Sequence, residues 1–246
     1  MSYAAESAGR FAREALEAAD GEVCALFRRS FYLRCRGERY ACVGDRSVGN
    51  GPLNVLVPGL VLPRLGDRVS VSLSGAKAWQ PPLPVPDQPH LTKLRAAAAE
   101  RIPAEGFGCL LIGKHNALSG HAQPALDALE RWLVGNAIVE EAEQLIGLGP
   151  GLTPSGDDYL GGMLVALRRT SRTMQAEGLW RWLQPRLRER TSAISAAHLA
   201  AAAAGEGHEA LHSVLDGELT LDALDSVGHT SGWDALAGAA AVLRTY

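Results

Sequence analysis

Apolar and polar positions follow two different rhythms along this chain. Up to about residue 78 the apolar residues fall in short runs, at 23–28, 31–36, 40–43, 53–57 and 69–73. The runs are rich in β-branched and aromatic residues and are parted by turn formers such as Arg36-Gly37-Glu38 and Gly49-Asn50-Gly51-Pro52. They predict strands, and several at close spacing predict a small antiparallel β-barrel or sandwich. A helix is expected before them, over 7–19. Five prolines between residues 79 and 89 exclude helix and central strand and predict a stiff connector. Beyond it the period becomes helical, at 91–101, 122–146, 157–171, 179–204 (with a break near Pro185), 209–215, 221–227 and 233 onward. In 122–146 the apolar face is set by Leu126, Leu129, Leu133, Ile138, Val139, Ala142 and Leu145. The apolar run at 107–112 is too short to assign. The expectation is an α+β chain: a β-rich domain over 1–78, a connector over 79–89 and an all-helical domain over 90–246. The segments 157–167, 193–204 and 233–243 are apolar nearly all round, which places them at the centre of the helical domain.

Composition narrows the function classes. Across 246 residues, 24 Lys and Arg stand against 27 Asp and Glu, a net charge of −3, which gives no electrostatic reason to expect nucleic acid. The arginines between 168 and 190 read as a solvated face. Four cysteines without a C-x-x-C pair read as reduced, buried thiols in a cytosolic protein. The start lacks the basic and apolar regions of a leader, and no apolar run approaches the ~20 residues of a membrane span. A soluble cytoplasmic protein with no membrane partner is expected.

The most informative segment is Gly149-Pro150-Gly151-Leu152-Thr153-Pro154-Ser155-Gly156-Asp157-Asp158. Pro154 pushes Thr153 into an extended conformation, and Ser155 with Asp158 fits the spacing of a capping box. The pattern recurs: Ser155-Gly156-Asp157-Asp158-Tyr159-Leu160-Gly161-Gly162 and Ser231-Gly232-Trp233-Asp234-Ala235-Leu236-Ala237-Gly238 both read S-G-x-D-x-L-x-G. Two such helix starts could converge on one pocket, each offering free backbone N–H groups. Two stable caps on two core helices would explain the same pattern without a ligand.

Asp157 is spare if Asp158 caps, so it is a candidate for chemistry. Adjacent acids would repel a bare phosphate. They suit either a divalent cation such as Mg²⁺ between acid and phosphate, or a ligand that carries N–H donors of its own. Thr153, Ser155 and Gly156 are candidate anion contacts, and Asp158, Ser231 and Asp234 are candidate substrate contacts. His229, just before the second helix, is a candidate proton carrier. Thr191, Ser195 and His198 at i, i+4 and i+7 would line one face of a helix toward a pocket or a neighbouring loop. His208-Glu209-Ala210-Leu211-His212 matches the H-E-x-x-H zinc signature, but it lies in the first turn of a short helix and lacks the usual continuation.

The run from Gly147 to Gly162, together with the run from Gly228 to Gly238, resembles a bacterial family long catalogued as a domain of unknown function. Its described type is the AllH-like subunit of oxamate carbamoyltransferase. The resemblance extends over most of the chain, more loosely at the strand-rich start, and does not include the H-E-x-x-H stretch. It implies a subunit of a multi-subunit assembly that transfers a carbamoyl group between carbamoyl phosphate and oxamate or a similar amide, in nitrogen-salvage breakdown of purine-derived compounds. An FdrA-like protein partner is implied with it. Carbamoyl phosphate and oxamate each combine anionic oxygens with amide N–H donors, which suits a loop bearing N–H groups and carboxylates. A non-catalytic scaffold is the alternative, and a zinc hydrolase using His208, Glu209 and His212 the remote one.

Overall fold

The computed structural model describes residues 1–17, 20–82, 91–218 and 221–245. It divides into two compact units, Met1–Pro82 and Leu83–Tyr246. The end of the helix expected over 7–19 and the prolines of the connector at 84, 86 and 89 lie outside the described residues.

The first unit is one curled sheet of eight strands: β1 (Ser2–Ala4), β2 (Ser7–Gly9), β3 (Gly21–Leu26), β4 (Ser30–Cys35), β5 (Arg39–Gly44), β6 (Asn54–Leu56), β7 (Arg68–Ser72) and β8 (Lys77–Trp79). Their order is β1-β7-β3-β4-β5-β6-β2-β8. A short connection explains the curl. β1 pairs with β7 near one edge and β2 with β6 and β8 near the other, yet Ala4 and Ser7 are three residues apart and can be separated by no more than ~11 Å. The crossing is pinned by Ala5 N–H donating to Ser72 O at 3.0 Å and Glu6 N–H to Leu56 O at 2.8 Å. Among the described residues β1 and β8 share no ladder, so the sheet is a half-barrel. It is also mixed and not purely antiparallel, because β1–β7, β2–β8 and β5–β6 run parallel. The helix expected over 7–19 begins as β2 and becomes α1 (Arg10–Leu16). Ala12 and Ala15 of α1 join Val23, Phe31, Leu33, Val43, Val55 and Val69 in the core of this unit. Trp79 ends β8, so strand structure enters the stretch read as connector.

The second unit is helical: α2 (Leu91–Ala98), α3 (Ala117–His121), α4 (Gln123–Leu133), α5 (Ser155–Arg169), α6 (Thr173–Arg190), α7 (Ala193–Ala203), α8 (Glu209–Leu215), α9 (Asp222–Asp225) and α10 (Ser231–Leu243). The 3-10 turns Gly108–Ile112 and Glu140–Leu145 accompany them. The helix expected over 122–146 is thus two elements. Gly135, at φ 106°, turns the chain after α4, and Asn136 closes the turn by donating its N–H and Nδ2 to Arg131 O at 3.1 and 2.8 Å. The break expected near Pro185 falls later. α6 runs through the proline and stops at Thr191, which is extended, and Ser192 caps α7 by accepting from Ser195 N–H at 2.9 Å.

α5 and α10 form the centre of this unit, with Leu160, Met163, Leu164, Leu236, Ala239 and Val242 buried. They approach at glycines. A β-carbon on Gly162 would stand 1.8 Å from Ala235 O, and one on Gly238 would stand 1.9 Å from Tyr159 O. Gly162 and Gly238 hold the last position of the two S-G-x-D-x-L-x-G copies, and Tyr159 and Ala235 the fifth. The repeated sequence is therefore a repeated contact: each copy packs its closing glycine on the other copy's backbone.

Candidate functional site

The two helix starts are built alike, and not as capping boxes. α5 begins with Pro154 and α10 with Thr230 at the N-cap, and neither makes a side-chain cap bond. Ser155 and Ser231 are already inside their helices. The glycine after each serine is closed off by the preceding loop: Gly156 N–H donates to Leu148 O at 2.9 Å, and Gly232 N–H to Val227 O at 3.1 Å. Pro154 O takes the N–H groups of both Asp157 and Asp158 at 2.9 and 3.0 Å, and Thr230 O takes that of Asp234 at 2.9 Å. The chain's own carbonyls thus take the N–H groups of Gly156, Asp157, Asp158, Gly232 and Asp234 in the expected cradle. Gly156 has no room to change, since a β-carbon there would lie 1.9 Å from Leu145 O.

Asp158, which fitted a capping box, and Asp234 instead reach across the crossing. Asp158 faces the hydroxyls of Ser231 and Thr153, while Asp234 faces those of Thr230 and Ser155. Each motif's acid therefore meets the other motif's serine. Thr153 Oγ1 and Ser231 Oγ lie 3.1 Å apart, and both residues are half-buried, as is Asp158. Asp234 is fully buried at 0 % exposure. Its Oδ1 accepts from the N–H of Phe107, and a β-carbon on Gly106 would stand 2.4 Å from that oxygen. The Oδ2 atoms of both Asp158 and Asp234 are inaccessible and have no hydrogen-bond partner.

Burial raises both carboxyls above the ordinary carboxylate range. For Asp158 desolvation comes first, opposed by Ser231 and reinforced by the charges of Asp234 and Asp157. For Asp234 desolvation lifts the value to about 6 against the N–H of Phe107 and the hydroxyls of Thr230 and Ser155.

Asp157 belongs to a different cluster. It is 2 % exposed and both of its oxygens are engaged: Oδ1 accepts from Gly147 N–H at 2.8 Å, and Oδ2 from Ser195 Oγ at 2.6 Å and from Thr191 Oγ1. Desolvation raises its carboxyl, and the two hydroxyls and the Gly147 N–H oppose the rise. This carboxyl ties the loop ahead of α5 to the α6–α7 corner, where Ser192 Oγ adds a bond to Leu152 O at 2.5 Å. Both of its oxygens are thus occupied by the chain's own donors.

The stripe of Thr191, Ser195 and His198 divides accordingly. The first two serve Asp157, and Thr191 lies at the end of α6 and not on α7. Desolvation and nearby His208 push the His198 imidazole down to about 4. His229 is exposed and pairs with exposed Glu105 at 3.4 Å, so it stands on the rim and not in the cluster.

The H-E-x-x-H residues are committed elsewhere. His208 Nδ1 caps α8 by accepting from Ala210 N–H at 3.1 Å. His212, 1 % exposed, accepts at Nε2 from Gly207 N–H at 3.0 Å and lies beside Arg169. Desolvation, then the Arg169 charge, press its ring down to about 3. Among the described residues no group of three or more His, Cys, Asp or Glu is arranged to hold a metal ion, and no helix is long and apolar enough to cross a membrane.

Sequence reasoning missed Phe107, Gly106 and Ser192. The Gly106-Phe107-Gly108 flank was the available signal for the first two. Ser192, three residues before Ser195, was a legible cap.

Residues 145–243 match the family model described as oxamate carbamoyltransferase subunit AllH. The match spans both copies of the repeated motif and every residue of the two clusters except Gly106 and Phe107. The strand-rich unit lies outside the matched residues. No solved structure matches the chain.

Proposed function

We propose that the chain is a subunit of a carbamoyltransferase-type assembly like oxamate carbamoyltransferase, and that it holds a small ligand at the α5–α10 crossing. The observation that carries this reading is the exchanged pairing of Asp158 with Ser231 and of Asp234 with Ser155, beside an exposed Gly-Pro loop. Packing alone asks for small apolar residues at such a crossing. Hydroxyls and carboxyls with two unpartnered oxygens are costly there unless they are used. Thr153 and Ser231 offer hydroxyls to an anionic oxygen, and Asp158 stands at the third corner. Asp157, Ser195 and Gly156 position the loop. His229 is the candidate proton carrier at the rim. Carbamoyl phosphate and oxamate have the fitting chemistry, with anionic oxygens and an amide in one small molecule, and an FdrA-like protein is the partner proposed.

One observation favours a scaffold instead. The N–H groups of Gly156 and Gly232 are taken by the chain's own carbonyls, so neither copy needs a ligand to be satisfied there. Thermal shift and calorimetry of the full chain, alone and with an FdrA-like subunit, separate the two readings. The ligand set is carbamoyl phosphate, oxamate, inorganic phosphate and Mg²⁺, beside Thr153→Val. A ligand-selective response that Thr153→Val removes is expected. Silence throughout, with the partner present as well, would establish the scaffold.

A further inference from the structure

The strand-rich unit carries none of the residues of the clusters around Asp157 and Asp234, yet one end of its sheet gathers most of its exposed apolar side chains. Strand direction puts them together. β7 begins with Arg68 opposite Glu22 of antiparallel β3, and β3 runs on from there to Leu26. β1 runs parallel to β7 and starts beside it. Ser30 of β4 pairs with Gly44 of β5, and β5 with parallel β6, so the loop from β6 to β7 leaves at the same end as the β3–β4 turn. Met1, Leu26, Phe27, Val61, Leu62 and Leu65 are all exposed here, Val61 at 69 % and Leu65 at 65 %. Single exposed apolar residues need no explanation, but six at one end of one sheet do. The loop is fixed from within. Tyr3 Oη donates to Val61 O at 2.7 Å and lies 3.5 Å from Met1 Sδ. Arg64 N–H donates to Asp67 Oδ2 at 2.8 Å, and Gly66 N–H to Val23 O at 2.9 Å. Its apolar tips thus face solvent while its backbone is pinned to β1 and β3.

Charge narrows what fits. Arg28, Arg29, Arg64 and Arg68 are exposed at this end. The acids around them are already engaged: Asp45 by Ser47 N–H at 2.9 Å, Asp67 by Arg64 N–H, Glu22 by Arg34 at 3.4 Å and Glu6 by Arg46 at 2.6 Å. Among the described residues no acid pairs with any of the four arginines. Two copies meeting symmetrically through this end would set arginine against arginine, which is costly. All four cations are arginine and none is lysine. The planar guanidinium grips a carboxylate through two bonds, and arginine and phenylalanine are enriched where proteins meet while lysine is depleted.

We infer that this end of the half-barrel is the docking surface for a protein subunit whose contact face is apolar and ringed by Asp and Glu carboxylates. Val61, Leu62, Leu65 and Phe27 supply the apolar centre, and the arginines pair with the rim. That a partner subunit exists rests on the proposed function; none of the surface's residues belongs to the α5–α10 crossing.

Sedimentation and calorimetry of the full chain with an FdrA-like subunit test this, beside Leu65→Ser, Arg64→Glu and a control, Met174→Ser. Met174 is 86 % exposed but lies on α6. All three side chains are exposed, so the melting temperatures should stay at the wild-type value. Leu65→Ser and Arg64→Glu should each weaken binding about tenfold or more, and wild-type affinity should fall with added salt. Met174→Ser should bind as wild type does. Equal binding by all four proteins overturns the docking surface and leaves the assembly reading standing. No binding by the wild type overturns both. Two further arms use the chain alone: sedimentation across concentration, and flotation with vesicles of equal parts phosphatidylglycerol and phosphatidylcholine. Self-association or vesicle binding that Leu65→Ser abolishes gives the surface to a second copy or to lipid, and overturns the protein partner.

Discussion

The α-carbon of Gly162 rests against the carbonyl oxygen of Ala235, so closely that a β-carbon would stand 1.8 Å from it. Gly162→Ala is therefore expected to force α5 and α10 apart. The cost should be about 3 kcal/mol or more, at the upper end of overpacking in a tight core, and Gly238→Ala should behave the same way. Gly161→Ala is the control. Its nearest neighbour would lie at 3.8 Å, and relief of a helical glycine is worth up to about 1 kcal/mol. Urea unfolding of the three variants should show two losses and no loss for the third.

Asp157 divides charge from shape. Asp157→Ala would strand the Gly147 N–H and the hydroxyls of Ser195 and Thr191 in a buried place, which should cost about 3 kcal/mol. Asp157→Asn keeps an acceptor for Gly147 N–H and lets the hydroxyls turn. It should cost clearly less. Equal losses in denaturant melts would mean that the charge, and not the bonding pattern, holds the loop.

Asp234 should leave a signature in stability against pH. Its folded value, raised to about 6, lies above the ordinary carboxylate value of about 4, so the folded chain binds this proton more tightly than the unfolded one. Its contribution is greatest below the unfolded value and is lost as pH rises through the window from about 4 to about 6. Subtracting the Asp234→Asn profile from the wild-type profile should isolate a fall on the order of 2–3 kcal/mol across that window. A flat difference would mean that the carboxyl is not held as an acid.

Two histidines, half-buried His198 and buried His212, act with the opposite sign. His198 and His212 are pushed down to about 4 and about 3, so the unfolded chain takes up their protons first. Stability should be lost as pH falls from about 6.5, the ordinary histidine value, toward those depressed values, with a slope of about 1.4 kcal/mol per pH unit for each group. A neutral His212→Gln variant should reduce this acid slope even where it lowers stability at pH 7.

His208 is expected to act as a helix cap and not as a metal ligand. His208→Ala should cost about 1 kcal/mol, and removal of metal ions by a chelator should leave the melting temperature unchanged. Stoichiometric zinc lost in His208→Ala would reverse this assignment.

Several elements were legible because their signals are local. The runs at 23–28, 31–36, 40–43, 53–57 and 69–73 became β3 to β7, and the periodic stretch at 209–215 became α8. β1, β2 and β8 were missed because three residues carry no period. The helix read over 122–146 failed at Gly135-Asn136, where a turn signal sat inside a continuous apolar pattern. The S-G-x-D pairs were misread as caps because a serine three residues before an acid has the same spacing whether its partner is its own helix or another one.

The sequence by itself determined that a strand-rich segment precedes a helical one and that two helix starts share one motif, since composition, period and turn chemistry are properties of neighbouring residues. Only the tertiary structure decided that the motifs exchange acid and serine, that Asp157 is saturated, and that Asp158 and Asp234 each keep an inaccessible, unpartnered oxygen. Those facts depend on how close two distant backbones come. At the α5–α10 crossing that distance is set by two glycines packing against each other's helix, which also fixes how deeply the acids are buried.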